Sequence, residues 1–438
     1  MRSLRAVAAV AAVAVVAVSV LSATPATAEP AGATTVRASV AGGGGQGDRP
    51  SMHPEVSADG RYVVFFSTAT NLVPGDTNDY FDVFIRDRTA GTTRRVNVSS
   101  TGAQADGPTH SQARISADGR YVVFTSYGAN LVPGDTNDDS DVFVRDLATG
   151  STSRVSVASS GRQADGFSAF FLAISADGRY VLFDSEATNL VPGDTNGVRD
   201  IFQHDRRTGR TTRVSVGNDG EQADHFSEAP GFSADGRYLT FASYAGNLVP
   251  GDTNGFSDVF VRDRRTGRIT LVSRTPAGVP SQYSSFNPTL SADGRFVSFQ
   301  SESEDVVAGD TNGFPDAFVH DRRTGRTELA SVSSDGRQTD DFCNLASISA
   351  DGRYVVFYSG ATTLVRGDTN ATDDVFVRDL VRRTTIRVSV ATSGRQANGW
   401  SGQPSTSSDG RVIAFASEAT NLVPGDTNAD PDVFLRLR

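Results

Sequence analysis

Apolar and polar positions along this chain follow one pattern that returns seven times. In the copy that begins at Ser116, Asp118-Gly119 sits between apolar stretches, a strong hairpin signal. Residues 120–126 read R-Y-V-V-F-T-S, apolar on both faces, which predicts a strand covered on both sides. A polar loop rich in Asn, Pro, Gly and Asp separates it from a second apolar run, D-V-F-V-R-D at 141–146. A Thr149-Gly150 turn leads to residues 152–157, and a further loop leads to a short strand before the next copy. No stretch shows a helical period. The pattern predicts four short antiparallel strands per copy, A to D in chain order.

Two phrases mark the copies. S-x-D-G-R begins at Ser57, Ser116, Ser175, Ser233, Ser291, Ser349 and Ser407, and G-D-T-N follows 18 residues later each time. A fixed period of 58 or 59 residues means an array of one supersecondary unit. Two Phe positions never vary: Phe65, Phe124, Phe183, Phe241, Phe299, Phe357 and Phe415 on strand B, and Phe84, Phe143, Phe202, Phe260, Phe318, Phe376 and Phe434 on strand C. Large apolar side chains at fixed places in twisted four-stranded sheets suit packing between blades. The last copy supplies strands A to C and stops at Arg438, while T-V-R-A-S-V at 35–40 matches the strand D phrase T-R-V-S-V at 212–216. The expected fold is therefore an all-β, seven-bladed β-propeller spanning 35–438, its ring closed three plus one by the N-terminal strand 35–40.

The phrases resemble the repeat of the TolB-like β-propeller family, a WD-like propeller whose units read roughly S-P-D-G-x-x-[IL]-A-F-x-S and then D-[IL]-[YFW]-V-x-D. Ser175-Ala176-Asp177-Gly178 with Phe183 and Ser185, then Asp200-Ile201-Phe202 with Asp205, carry the match, and the other units repeat it. The resemblance implies the propeller fold; the family includes exported scaffolds, binding proteins and propellers appended to peptidases, so it leaves function open. Ala or Ser stands where the family usually has Pro, and nothing corresponds to the N-terminal domain of TolB.

Composition narrows the setting. Arg2 and Arg5, the apolar run 6–21 and Ala26-Thr27-Ala28 read as a signal peptide over 1–28, cleaved near Ala28, followed by a short linker 29–34. The run is too short and Ala-rich for a membrane anchor, so the expected location is secreted, with no transmembrane segment. Loss of that segment takes the basic count from 41 to 39 against 51 acidic residues, a balance of −12 that argues against nucleic acid and anionic membranes as partners. Cys343 is the only cysteine, so packing alone holds the chain together.

Antiparallel strands place the A–B and C–D turns on one face and the B–C and D–A loops on the other. The first face carries tight turns with little room for a site, and S-x-D-G-R reads there as a hairpin turn alone. The second carries long loops and is the expected functional face. On it every copy repeats D-T-N-x-x-x-D: Asp76, Asn78, Asp82; Asp135, Asn137, Asp141; Asp194, Asn196, Asp200; Asp252, Asn254, Asp258; Asp310, Asn312, Asp316; Asp368, Asn370, Asp374; and Asp426, Asn428, Asp432. Oxygen ligands at positions 1, 3 and 7 of a Gly-rich loop resemble a shortened calcium loop with affinity in the extracellular range, ~10⁻⁴–10⁻³ M. The alternative is an Asx-type turn leading into strand C. Gln104, Gln163, Gln222, Gln338 and Gln396 with the acid or amide two residues on are expected to link neighbouring blades.

Regularity breaks just downstream, where comparable places hold Pro50, Pro108, Phe167, Phe226, Tyr283, Phe342 and Trp400 near the start of the innermost strand. Phe167, Phe226, Tyr283, Phe342 and Trp400 are the candidate ligand-binding residues at the channel mouth, against ordinary packing around that mouth. The five His residues make no metal spacing and read as solvated surface, and no catalytic motif appears. The reading is an exported binding or interaction module, with calcium as the one cofactor considered and an extracellular or cell-envelope protein or glycan as partner, acting as a monomer. The alternative is an extracellular hydrolase or lyase with an acidic site at the channel mouth.

Overall fold

The computed structural model describes residues 32–110 and 112–438. The expected signal peptide 1–28 and the first half of the linker, 29–31, lie outside the described residues. Seven four-stranded antiparallel sheets form seven blades, each running A to D from the centre outward. In blade 1 the strands are Ser51–Val56, Tyr62–Ser67, Asp82–Asp87 and Thr92–Arg95. Blade 7 consists of Ser401–Thr406, Val412–Ser417 and Asp432–Leu437, completed by Thr34–Arg37 as its strand D. Thr34 lies opposite Leu437 and Arg37 opposite Phe434, so the ring closes three plus one. The closing strand ends earlier than expected because the Ala38 N–H turns to the Val433 carbonyl and Val40 bridges Gln46 instead.

The invariant phenylalanines explain why the blades stay together. Phe65 pairs with Phe84 across strands B and C, and Phe124 with Phe143, their rings stacked at 5.9 and 5.8 Å. All are fully buried. Phe65 and Phe84 share a cluster with Val433 and Leu435 of blade 7, and Phe124 and Phe143 share one with Val64 and Ile85 of blade 1. Burying each ring is worth ~1.5–3 kcal/mol, so the junctions between blades carry much of the stability.

The S-x-D-G-R turn does more than reverse the chain, which corrects the hairpin-only reading. Ser57 Oγ donates to Asp59 Oδ1 at 2.6 Å and accepts the Tyr62 N–H at 2.9 Å, which sets the hairpin. Its glycine is where the preceding blade docks: a Cβ on Gly178, at φ +68°, would lie 2.1 Å from Tyr121 Cδ2. Tyr121 is held between Arg120 of its own blade and Arg206 of the next, at 4.8 and 4.3 Å from the ring centre. The variable residue of the phrase also has a task. Ala117, Ala234, Ala292, Ala350 and Ser408 each donate an N–H to the matching carbonyl of the next blade, at 2.8–3.1 Å. A proline there would have no N–H to give, which accounts physically for the departure from the family pattern.

The surface assignment of the histidines is corrected as well. His204 and His320 are buried, and each Nδ1 lies 2.9 Å from a threonine hydroxyl on strand D, Thr211 or Thr327. Their register position holds Arg in other blades, as at Arg145, whose guanidinium reaches the Ser99 carbonyl of the preceding blade at 2.9 Å. His53 lines the central channel and His110 packs on Tyr127 and Phe167, leaving His225 exposed. Cys343 is buried, and its surroundings push the thiol far above its ordinary range. No helix among the described residues is long and apolar enough to cross a membrane.

Candidate functional site: the loop face and the central channel

The seven D-T-N loops share one face with the D–A loops. In blade 1, Asn78 Oδ1 accepts the Tyr80 N–H at 3.2 Å, an Asx turn, while its Nδ2 donates to the Ala105 carbonyl at 3.2 Å. Asp76 and Asp82 converge on one guanidinium, that of Arg95 on strand D, at 3.6 and 3.2 Å. Arg154 bridges Asp135 and Asp141, Arg213 bridges Asp194 and Asp200, Arg387 bridges Asp368 and Asp374, and Arg37 bridges Asp426 and Asp432. Each arginine lies opposite the strand C phenylalanine. Blades 4 and 5 place Leu271 and Leu329 in that register. Burial pushes the strand C aspartates up, Asp82 and Asp141 to about 6 and Asp258 to about 7. No group of three or more His, Cys, Asp or Glu side chains suited to a metal forms among the described residues.

The loop glutamines and acids do link neighbours. Gln163 Nε2 donates to Asp135 Oδ1 of the preceding blade at 2.8 Å, and Asp165 accepts the Thr188 N–H of the following blade at 2.8 Å.

All five candidate aromatics lie on this face, but they form separate groups. Phe167 packs on Phe170 at 4.4 Å and on His110 at 5.7 Å, and His110 on Tyr127 at 5.1 Å. The Arg199 guanidinium lies over Phe170 at 4.8 Å and over Phe226 at 5.3 Å, and Phe226 meets Tyr244 at 4.7 Å. One continuous string of rings thus crosses blades 2, 3 and 4. Tyr283 packs on Phe256 at 5.6 Å. Trp400 meets Tyr358 edge-on and donates Nε1–H to Asp373 Oδ2 at 3.1 Å, and Phe342 is partly exposed. Tyr283 stands one place early: the residue whose carbonyl receives the N–H after strand B is Phe167, Phe226 or Trp400 in their blades, but Ser284 in blade 5.

Sequence reasoning missed most of the exposed rings. Tyr80, Phe81, Tyr127, Phe170, Phe256 and Phe314 join Tyr283 and Phe342 as exposed aromatics, every one of them on the loop face. The available signal was their place in the B–C loops and at the strand ends beside them. Arg199 was missed too; it also approaches Asp184 at 3.4 Å and Glu228 at 3.3 Å. Asp184 is wholly buried and raised to about 6 by that burial. It accepts the N–H groups of Phe171 and Phe170 at 2.7 and 3.3 Å, where strand A of blade 3 shifts register.

The central channel supplies the second concavity, a cavity of about 590 Å³ lined by the seven innermost strands. It reaches the collar of Ala58, Ala117, Ala176 and their equivalents on the A–B turns, which corrects the expectation that the tight-turn face has little room. Bulges in strand A set its shape. His53, Ala229, Asn287, Leu345 and Gln403 occupy the same bulge position with φ between 49° and 53°. Glu55 and Arg114 approach to 3.5 Å in the wall. Burial raises Glu55, opposed by Arg114, and lowers His53.

No family model matches the chain, and no curated protein matches it. Solved structures do. An oligogalacturonate lyase from Vibrio parahaemolyticus matches with 12% identity over 89% of this chain and 90% of that one, TM-score 0.54. A prolyl endopeptidase matches with 13% identity over 89% of this chain and 50% of its own, TM-score 0.54. TolB from Acinetobacter baumannii matches with 17% identity over 77% and 63%, TM-score 0.42. At such identities the lyase and the endopeptidase show a likeness of fold alone.

Proposed function

We propose that this chain is an exported propeller that works as a binding module, its loop face docking an extracellular or cell-envelope protein or glycan. The observation that carries the reading is the segregation of the exposed rings: eight aromatic side chains stand partly bare on the loop face. Bare aromatic surface costs solvation and is characteristic of contact sites, where Tyr, Trp and Phe supply rigid area with a polar edge. The string from Tyr127 through Phe167, Phe170 and Arg199 to Phe226 sits where the sevenfold sequence pattern fails. The test is capture of envelope proteins and of a glycan panel by the wild type and by a Tyr127→Ala/Phe170→Ala variant. Retention of a partner by the wild type and its loss from the equally stable variant supports the reading; equal binding by both refutes it.

The second reading, a hydrolase or lyase with an acidic site at the channel mouth, has Asp184 and Glu228 beside Arg199 in its favour. Against it, the Asp184 carboxylate is buried and already accepts two backbone N–H groups. An Asp184→Asn variant with unchanged activity on any polysaccharide the wild type degrades would remove Asp184 from that role.

A further inference from the structure

Five of the seven D-T-N loops carry their own cation, and two do not. Where strand D supplies Arg95, Arg154, Arg213, Arg387 or Arg37, one guanidinium sits between the first and last aspartates of the loop. In blades 4 and 5 the same register holds Leu271 and Leu329. The acids are nonetheless retained and buried: Asp252, Asp258, Asp310 and Asp316 are at most 6% exposed. No arginine among the described residues pairs with any of the four.

The neutral partners also thin out at these two loops. The glutamine that donates to the first aspartate in blades 1, 2, 6 and 7, as Gln163 does to Asp135 and Gln396 to Asp368, is Pro280 in blade 4. In blade 5 Gln338 turns its Nε2 to the Gly309 carbonyl, as Gln222 does to Gly193 in blade 3, where Arg213 still holds Asp194. The outcome is specific at Asp310, which is 6% exposed and whose Oδ1 has no hydrogen-bond partner at all. The last aspartates are better served. Asp316 accepts Asn312 Nδ2 at 2.7 Å and Thr339 Oγ1 at 3.1 Å, and Asp258 accepts Asn254 Nδ2 at 2.7 Å. Blade 5 adds a further acid, since Glu304 contributes to the negative field at Asp310.

Buried carboxylates without a counter-charge are costly, and a group so placed either takes up a proton or holds a cation. Seven equivalent loops make the comparison internal: the same backbone frame and the same acid pair, with the positive charge deleted twice. We infer that the loops of blades 4 and 5 are binding sites for a hard divalent cation of the calcium class, held by Asp252 and Asp258 in one and by Asp310 and Asp316 in the other, while the remaining five loops are closed to metal by their arginines. Carboxylates, loop carbonyls and water form an all-oxygen donor set, which suits calcium and disfavours softer metals. The neighbouring Cys343 stays a neutral buried thiol and does not alter that choice. This inference is independent of what docks on the aromatic surface.

The test measures bound calcium per chain by equilibrium dialysis of the mature protein, with free calcium at about 5 mM, above the ~10⁻³ M upper end for extracellular sites. Thermal melts are run in the same buffer and in excess chelator. The expected results are two calcium ions per chain and a midpoint several degrees higher in calcium. A Leu271→Arg/Leu329→Arg variant should bind none and melt at the same temperature in both buffers. Asp252→Asn and Asp310→Asn, each of which keeps the side-chain shape, should each lower the count by one, so the result does not depend on the double variant folding. No bound calcium, a count near seven, or full binding by the arginine or asparagine variants would overturn the inference. An unchanged melt with protonation of the pair as the sole compensation is the zero-count case and overturns it too.

Discussion

His204 offers a sharp check on the electrostatics of the blade core. Its imidazole is buried, and Nδ1 lies 2.9 Å from Thr211 Oγ1. Thr211 gives its own hydroxyl proton to the Val157 carbonyl, so Nδ1 carries a hydrogen and donates it to Thr211. Burial lowers its pKa from 6.5 to about 4, with Asp205 opposing and Arg206 adding to the shift. The folded state therefore binds fewer protons than the unfolded state between those two values, and stability falls as the pH drops through 6.5 towards 4. Integrated from pH 7 to pH 5, one such group removes ~2 kcal/mol, rising to ~3.4 kcal/mol below pH 4. Carboxylates titrate over the same range, and Asp184, raised to about 6, acts with the opposite sign, favouring the fold as pH falls. The comparison must therefore cancel them. His204→Arg installs the residue that Arg145 represents in blade 2, a cation that does not titrate in this range. Urea unfolding of both proteins at pH 7 and pH 5 should show the wild type losing ~2 kcal/mol more than the variant. Equal losses would refute the reasoning and place a proton on His204 in the folded state.

Other outcomes follow from the packing. Gly178→Ala forces a methyl against Tyr121 at a left-handed backbone position, whereas Gly193→Ala, at φ +73°, meets nothing within 4 Å. Both lose ~1–2 kcal/mol to backbone strain, but only the first should lose substantially more in chemical denaturation, since it also separates two blades. Arg95→Leu strands two buried carboxylates, at a cost of ~3–5 kcal/mol, and added calcium should recover part of it in a thermal melt. Phe124→Ala should cost ~3–5 kcal/mol. Tyr127→Ala and Phe170→Ala, at rings 40% and 46% exposed, should leave the melting temperature nearly unchanged while abolishing partner capture.

Much of this architecture was legible in one dimension. Sevenfold periodicity, two invariant phenylalanines and a displaced final strand are local, repeated facts, and a blade is built from contacts within one repeat and with its neighbour. Blade number, strand order and closure therefore read directly from the pattern. The glutamine and acid links between loops were legible for the same reason. Solvation of a position was not. His204 looks like a surface residue beside a strand, yet it is buried at the register position from which Arg145 reaches the preceding blade. The alanine of S-x-D-G-R looks like filler, yet its N–H joins the collar of the channel.

The candidate site shows the same division. The chain itself determined the seven acid pairs on one face and the aromatic breaks in the repeat. Only the tertiary structure decided that Asp76 and Asp82 meet one arginine from strand D, that Leu271 and Leu329 take its place in two blades, and that Arg199 bridges Phe170 and Phe226. The physical reason is that each of these depends on side chains from different strands or adjacent blades sharing one buried or half-buried place. A repeat specifies which residues recur; strand pairing and blade packing specify which charges meet.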